Sequence, residues 1–393
     1  MKALLLAGTA AFFVVPAMAG GLGDWNINPY STDVADWTVN VGGSAYGTLF
    51  SSNQPATGAN TPWASGAATL TSSLKRTTDS GLSLSLNSAF EIYHDKLSGD
   101  NYGSAFVQKV YGIVQTGLGR VEIGNTDGAA YALAVTGPVV DDATSMDNAN
   151  ASYFIDPTTG RDFTRIFALN SAVESSLNYA KISYYTPRLF GVQIAASYTP
   201  SEGKDVLPFL ASGSHFANRQ HSIWEAALSY SDYLGPLSVG IYGGFAFGHA
   251  IAKTPGHAGL TDWGLGSEID YNVNDDVKLS LGGAYRHANT YAFDINNALG
   301  GGETTSAHLS ATLSYGPWLI GGEYGDGTAD SLPATLKLGV RGYETSLGYV
   351  FNANLQATMG WQQLRYSRDV GSFYNGAPCI AMDAVFFHLK LHV

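Results

Sequence analysis

Apolar residues recur at every second position through most of this chain. The last run is the clearest. Val385, Phe387, Leu389, Leu391 and Val393 share one face, and Phe386, His388, Lys390 and His392 share the other. Leu82, Leu84 and Leu86, then Phe90 and Ile92, repeat the pattern against Ser83, Ser85, Asn87 and Glu91. So do Val192, Ile194, Ala196 and Tyr198, then Trp263, Leu265, Ile269 and Tyr271, then Val277, Leu279, Leu281 and Tyr285. A period of two marks a strand with one apolar face, because successive side chains of a pleated chain point to opposite sides. Helical spacing is scarce, so the chain reads as all-β.

Turn chemistry divides the strands. Short connections fall near 77–81, 118–120, 187–191, 232–236, 273–276, 315–317 and 351–354, with turn formers such as Asp79-Ser80-Gly81 and Asn274-Asp275-Asp276. Long ones fall near 51–66, 94–104, 126–174, 200–220, 251–262, 289–306, 326–335 and 369–383. Together they join about sixteen antiparallel strands, with short turns at one end and long loops at the other.

Two architectures alternate in this way. A soluble sandwich or barrel buries its apolar face, whereas a transmembrane barrel turns it to lipid. Composition favours the second. The polar faces hold Ser, Thr, Gln, Asn and Gly rather than a soluble surface's Lys and Glu. Charged residues make up 13% of the chain, where about 25% is usual. Tyr230, Tyr233, Tyr271, Tyr315, Trp318, Tyr349 and Phe351 border the short turns, as a girdle at the lipid headgroups does. Tyrosine is also simply a good strand former.

The N-terminus indicates export. Met1-Lys2, the apolar run Ala3 to Val15 and Ala17-Met18-Ala19 form a signal-peptide pattern, with cleavage between Ala19 and Gly20. The run is shorter than the ~20 residues of a spanning helix. The expected organisation is a signal peptide at 1–19, an unassigned segment at 20–35 and a barrel at 36–393. The predicted fold is a transmembrane antiparallel β-barrel of about sixteen strands, in the outer membrane of a Gram-negative bacterium. Its last strand should pair with the first, near Trp37 to Phe50. A barrel of that size is too wide for side chains to fill, so the lumen should hold water.

The connection at 126–174 is by far the longest. It carries Tyr131, Val139, Val140, Phe154, Ile155, Phe163, Ile166, Phe167 and Leu169, so it should pack against something. It also carries Asp127, Asp141, Asp142, Asp147, Asp156, Asp162 and Glu174 against only Arg161 and Arg165. Folded into the lumen, such a loop would narrow the pore and favour cations. The alternative is a solvated acidic surface loop. Alternation puts Lys75, Lys109, Arg286 and Lys390 on the polar face, either facing this constriction or sitting near the rim.

Other chemistry is sparse. The net charge of −12 argues against nucleic acid as a partner. The lone Cys379 rules out an internal disulfide and a zinc–thiolate site. Neither G-x-S-x-G nor H-E-x-x-H occurs, and no enzyme is expected. No cofactor is expected either, apart from Ca²⁺, which Asp141 and Asp142 could ligate as hard oxygen donors.

Three stretches carry a family resemblance. Lys75-Arg76-Thr77-Thr78-Asp79-Ser80-Gly81-Leu82 resembles the second hairpin of Gram-negative general porins. Gly117-Leu118-Gly119-Arg120-Val121-Glu122-Ile123-Gly124-Asn125 resembles the approach to their constriction loop. Asn178-Tyr179, Ile182-Ser183-Tyr184-Tyr185-Thr186-Pro187 and Phe190-Gly191-Val192-Gln193 resemble the hairpin after it. In order, they make the chain similar to porins of the alphaproteobacterial type. The chain departs from that family in ending at Val393 rather than an aromatic residue, and in lacking the Pro-Glu-Phe-Gly-Gly loop signature of enterobacterial porins. The resemblance implies a homotrimer of sixteen-stranded barrels in outer-membrane lipid, with an in-folded third loop whose acidic residues face basic ones on the wall. It implies passive diffusion of small hydrophilic solutes and ions. With the acidic loop, the expected function is a non-specific channel with mild cation preference. The alternatives are a substrate-selective channel, for sugars or another nutrient, and a non-conducting structural or adhesive barrel.

Overall fold

The computed structural model describes residues 30–54, 59–94, 107–147, 169–201, 220–250, 259–289, 301–331, 337–368 and 379–392. The signal peptide with Ala19 and Gly20, most of segment 20–35, and Val393 lie outside the described residues.

The strands are β1 (Tyr30–Val34), β2 (Trp37–Gln54), β3 (Ala59–Thr77), β4 (Ser83–His94), β5 (Val107–Thr116), β6 (Gly119–Asn125), β7 (Ala180–Tyr185), β8 (Val192–Ser201) and β9 (Gln220–Leu234). They continue with β10 (Leu237–Ala250), β11 (Thr261–Asn274), β12 (Val277–Ala288), β13 (Gly301–Tyr315), β14 (Trp318–Ser331), β15 (Lys337–Asn352), β16 (Leu355–Arg368) and β17 (Cys379–His392). One short helix, α1 (Ala129–Ala132), follows β6.

From β2 onward each strand pairs antiparallel with the next. β17 closes the ring on β2, in register from Asp383↔Asn53 to His392↔Ser44. Sixteen strands thus form a closed barrel. Closure is what a lipid setting demands, since an open edge would leave backbone N–H and C=O groups without partners.

β1 is a seventeenth strand, unassigned from the sequence. It pairs with β2 from Tyr30↔Val41 to Val34↔Trp37, on the edge that β17 uses from Ser44 to Asn53. It therefore continues the line of β17 past the point where that strand stops. A turn with Ala35 at φ 55° joins it to β2, and the Thr38 hydroxyl donates to Asp33 at 2.8 Å.

The two faces of the wall divide as the alternation requires. Leu228, Ile241, Leu265, Ile269, Leu279, Leu309, Ile320 and Phe387 are exposed on the outward face. Ser229, Asp270, Ser280, Ser310, Ser346 and Thr358 are buried on the other. Of the expected girdle, Tyr233, Tyr271, Tyr315, Trp318 and Phe351 are exposed outward beside the short turns.

Several of the long connections depart from expectation. β2 runs to Gln54 and β3 starts at Ala59, so the connection expected at 51–66 shrinks to 55–58. β14 and β15 likewise leave only 332–336 of the one expected at 326–335. These strand tops are rich in Ser, Asn, Thr and Gly on both faces, so they lack the alternation that reveals a strand. The third connection is longer than expected, running from 126 to 179 rather than to 174.

A charge on the outward band should be costly and one on the inner face cheap. Leu265→Arg is expected to lower stability by about 2–4 kcal/mol, measured by urea titration of refolding into lipid vesicles. Ser85→Glu, on the inner side of β4, should leave the midpoint close to that of the wild type.

Candidate functional site: the third connection against the barrel wall

β6 and β7 have seven and six residues, against eighteen and nineteen for β2 and β3. The third connection therefore leaves the wall only about 24 Å along a tilted strand. At that height the outside is hydrocarbon, and its backbone can find partners only inside. The described parts, 126–147 and 169–179, bond to β5, β7, β9, β11, β13, β14, β16 and β17. One connection can reach strands spread around a closed ring only from within it.

Both limbs of the connection are held at its base. Glu225 of β9 accepts from the Ala130 amide at 3.2 Å, the Ser176 amide at 3.0 Å and the Ser197 hydroxyl at 3.3 Å. Lys181 of β7 donates to the carbonyls of Thr126, of Ser176 at 3.4 Å and of Leu177 at 2.5 Å. One carboxylate and one ammonium thus tie the outgoing chain to the returning chain. Around them Ala130, Ala134, Val135, Ala172 and Val173 pack on Ile223, Tyr242, Ala246 and Leu260 of the wall, an apolar cluster inside the barrel.

Past this cluster the chain lies close on the wall. Gly137, at φ 109°, sits directly on Gly282 and Ser310, where a side chain would collide. The Thr136 carbonyl accepts from His308 Nδ1 at 2.9 Å, and His308 Nε2 lies 3.2 Å from Glu323. Glu323 also accepts from the Met146 amide at 2.8 Å. Gln356 donates to the Val140 carbonyl at 2.9 Å, and Gln362 donates to the Thr144 carbonyl and to Glu344, the latter at 2.7 Å. On the return, the Ser175 hydroxyl donates to Asp262 at 2.5 Å, and Arg286 grips the same carboxylate with Nε at 2.9 Å and a terminal nitrogen at 2.6 Å.

The residues singled out from the sequence fall as follows. Lys109 pairs with Asp127 at 2.6 Å. Arg286 pairs with Asp262 of the neighbouring strand. Asp141 lies 3.8 Å from Lys390 and 3.5 Å from His388, and the Thr358 hydroxyl points at it from 3.4 Å. Lys75 is on the polar side of β3, in register with Thr38 and Ser85. Asp147 accepts from the amide of Ser171 at 2.8 Å and from its hydroxyl. Glu174 accepts from Asn170 at 3.0 Å. Asp142 is exposed. Asp156, Asp162, Arg161 and Arg165 lie outside the described residues. Among the described residues no group of three or more His, Cys, Asp or Glu side chains gathers that could hold a metal ion, and Asp141 faces the wall's cations.

The residues that fasten the connection were not singled out from the sequence: Glu225, Lys181, Asp262, His308, Glu323, Glu344 and Gln362. A signal existed. Each stands at a polar-face position in an alternating strand, as Glu225 does between Trp224 and Ala226. A carboxylate there has to meet a donor inside the barrel.

Comparison with known proteins adds to this geometry. The sequence model of Gram-negative porins matches residues 6–369. No curated protein sequence matches the chain. Among solved structures, OmpF of Salmonella typhi superposes with a TM-score of 0.60 at 11% identity, covering 92% of this chain and 100% of that one. The anion-selective porin from Comamonas acidovorans gives 0.54 at 13%, covering 91% and 100%. OmpT of Vibrio cholerae in its trimer form gives 0.55 at 14%, covering 91% and 99%. At these identities the likeness is one of fold.

The buried Arg286–Asp262 pair should be expensive to break and cheap to replace. Arg286→Met leaves a buried carboxylate without its cation and is expected to cost about 3–5 kcal/mol, read from the urea midpoint in detergent. Arg286→Met combined with Asp262→Leu should recover most of that loss.

Proposed function

Since the chain belongs to the Gram-negative porin family, and its barrel is accordingly an outer-membrane channel for diffusion, we propose that it passes small hydrophilic solutes non-specifically, favours cations, and works as a homotrimer without catalytic chemistry. The observation that carries the ion preference is how charge is arranged inside. Three of the wall cations stand against carboxylates, Lys109 with Asp127, Arg286 with Asp262 and Lys390 with Asp141. Their fields largely cancel within a few ångströms. The third connection as a whole holds seven acidic residues against two basic ones, and with Asp127 and Asp141 set against wall cations five acidic residues remain. What extends over a Debye length of ~10 Å at 0.1 M salt is therefore negative, and a negative lumen concentrates cations.

Self-association is supported by an uneven outer face. Over β2 and β3 it carries Gly43, Ala45 and Gly47 in register with Leu70, Ala68 and Gly66. Beside them Ser72 and Ser88 hydrogen-bond to each other at 2.6 Å. Over β9 to β12 the band instead exposes large side chains such as Leu228, Ile241, Phe245, Leu265, Ile269, Leu279 and Leu281. Small side chains let backbones approach closely, and a hydroxyl pair suits a protein neighbour better than an acyl chain.

Two measurements test this reading. The reversal potential of single channels in a KCl gradient should have the sign of cation selectivity, and Asp142→Asn should move it towards zero. An anion-selective potential would refute the preference. Sedimentation of the detergent complex should give three chains, and Gly47→Trp should yield monomers. A wild-type monomer would refute the trimer.

A further inference from the structure

Two depressions on the outward face, of about 610 and 560 Å³, share Leu281, Ala311 and Gly322 and so form one trough across β11 to β16. Its cause is a single cross-strand row. In register run Leu281, Ala311, Gly322, Thr345 and Trp361. The three middle positions are small, and the flanking ones are bulky. The row above holds Leu309, Tyr324 and Tyr343, and the row below holds Leu313, Ile320 and Leu347. The floor thus spans about three strand spacings, ~14 Å, walled on every side. Strands in such barrels tilt by ~40°, so a cross-strand slot runs obliquely to the membrane normal. That is the size and course of one ordered acyl chain.

At the upper rim stands Arg365, which is exposed and lines the same depression. Neutral groups hold its guanidinium. It lies 5.7 Å from the centre of the Tyr343 ring, and its Nε donates to Gln363 at 2.7 Å. The adjacent Arg341, by contrast, is paired with Asp326 at 2.7 Å. Arg365 sits eleven residues above the short turn that precedes β16, about 37 Å along the strand and ~28 Å in height after tilt. That is the far edge of an apolar band ~25 Å tall, where the headgroups of the outer leaflet begin. An outward-aimed cation at that level, above a chain-wide slot, matches a lipid with an anionic head.

We propose that this trough is a lipid site, which seats one acyl chain between Leu281 and Trp361 and holds the phosphate of the same outer-leaflet lipid on Arg365. The site is independent of ion selectivity and trimer formation. It is tested in vesicles of phosphatidylcholine containing a minor fraction of brominated phosphatidic acid or, in parallel, of brominated phosphatidylcholine. Bromine quenches tryptophan at contact, and the difference between wild type and Trp361→Phe isolates the signal of Trp361. Brominated phosphatidic acid is expected to quench Trp361 with about a fivefold preference, the effect of ~1 kcal/mol from one basic residue at the membrane surface. Arg365→Gln should abolish the preference, and Ala311→Leu, which fills the floor, should lower Trp361 quenching by both lipids. Native mass spectra should show one phosphatidic acid retained by the wild type and none by Arg365→Gln. Equal quenching by the two lipids, or a preference that survives Arg365→Gln, would overturn the proposal.

Discussion

A peptide group in hydrocarbon has no water to bond to, and leaving one unpaired costs several kcal/mol. This constraint shapes the protein at every level. It closes sixteen strands into a ring through the pairing of β17 with β2. It gives β1 its place, on the stretch of β2's edge that β17 does not reach. It also accounts for the third connection. β6 and β7 stop so low that the only bonding partners at their tops are on the inner wall.

The interior is consequently built to receive a backbone. Wall side chains stand where the amides and carbonyls of the connection need them. Glu225 and Glu323 accept from amides, and Lys181, Gln356, Gln362 and His308 donate to carbonyls. Gly137 and Gly282 allow the two chains to touch. The apolar cluster of Val135 and Val173 with Tyr242 and Ile223 adds burial on a face that would otherwise be wet. With its outgoing and returning limbs tied to the same Glu225, the described part of the connection is a fixed lining of the channel. Its net charge becomes a permanent property of the lumen.

Much of this was legible in the sequence, and the limits have physical causes. Period-two alternation reports a strand only where one side faces lipid and the other water. It therefore located β17, β4 and β12 well, and the seam between β17 and the first long strand followed from closure. It failed at the tops of β2, β3, β14 and β15, where both faces are polar. It also failed at β1, whose five residues are too few to show a period. In the third connection, composition indicated that something must pack, and Lys109, Arg286 and Lys390 were found because a cation on a polar strand face is conspicuous. Of their partners, Asp127 and Asp141 were named as acidic residues of the connection, but Asp262 was not. It stands on the neighbouring strand, and alternation carries no information about which side chains meet across strands. Glu225 and Glu323 carry an equal signal, since a carboxylate on an inward face meets the same demand for a partner as a cation does.

The connection is fastened along the inner wall and lines an open channel, and one cross-link tests both. Met146 lies against Gly342 of β15, close enough that a β-carbon there would touch its sulfur. In a chain with Cys379→Ser, cysteines at positions 146 and 342 should form a disulfide under mild oxidation. Single-channel conductance should be the same before and after the bond forms. Failure of the pair to cross-link would show that the connection does not lie on β15, and a conductance that collapses when the bond forms would show that the channel is not open beside it.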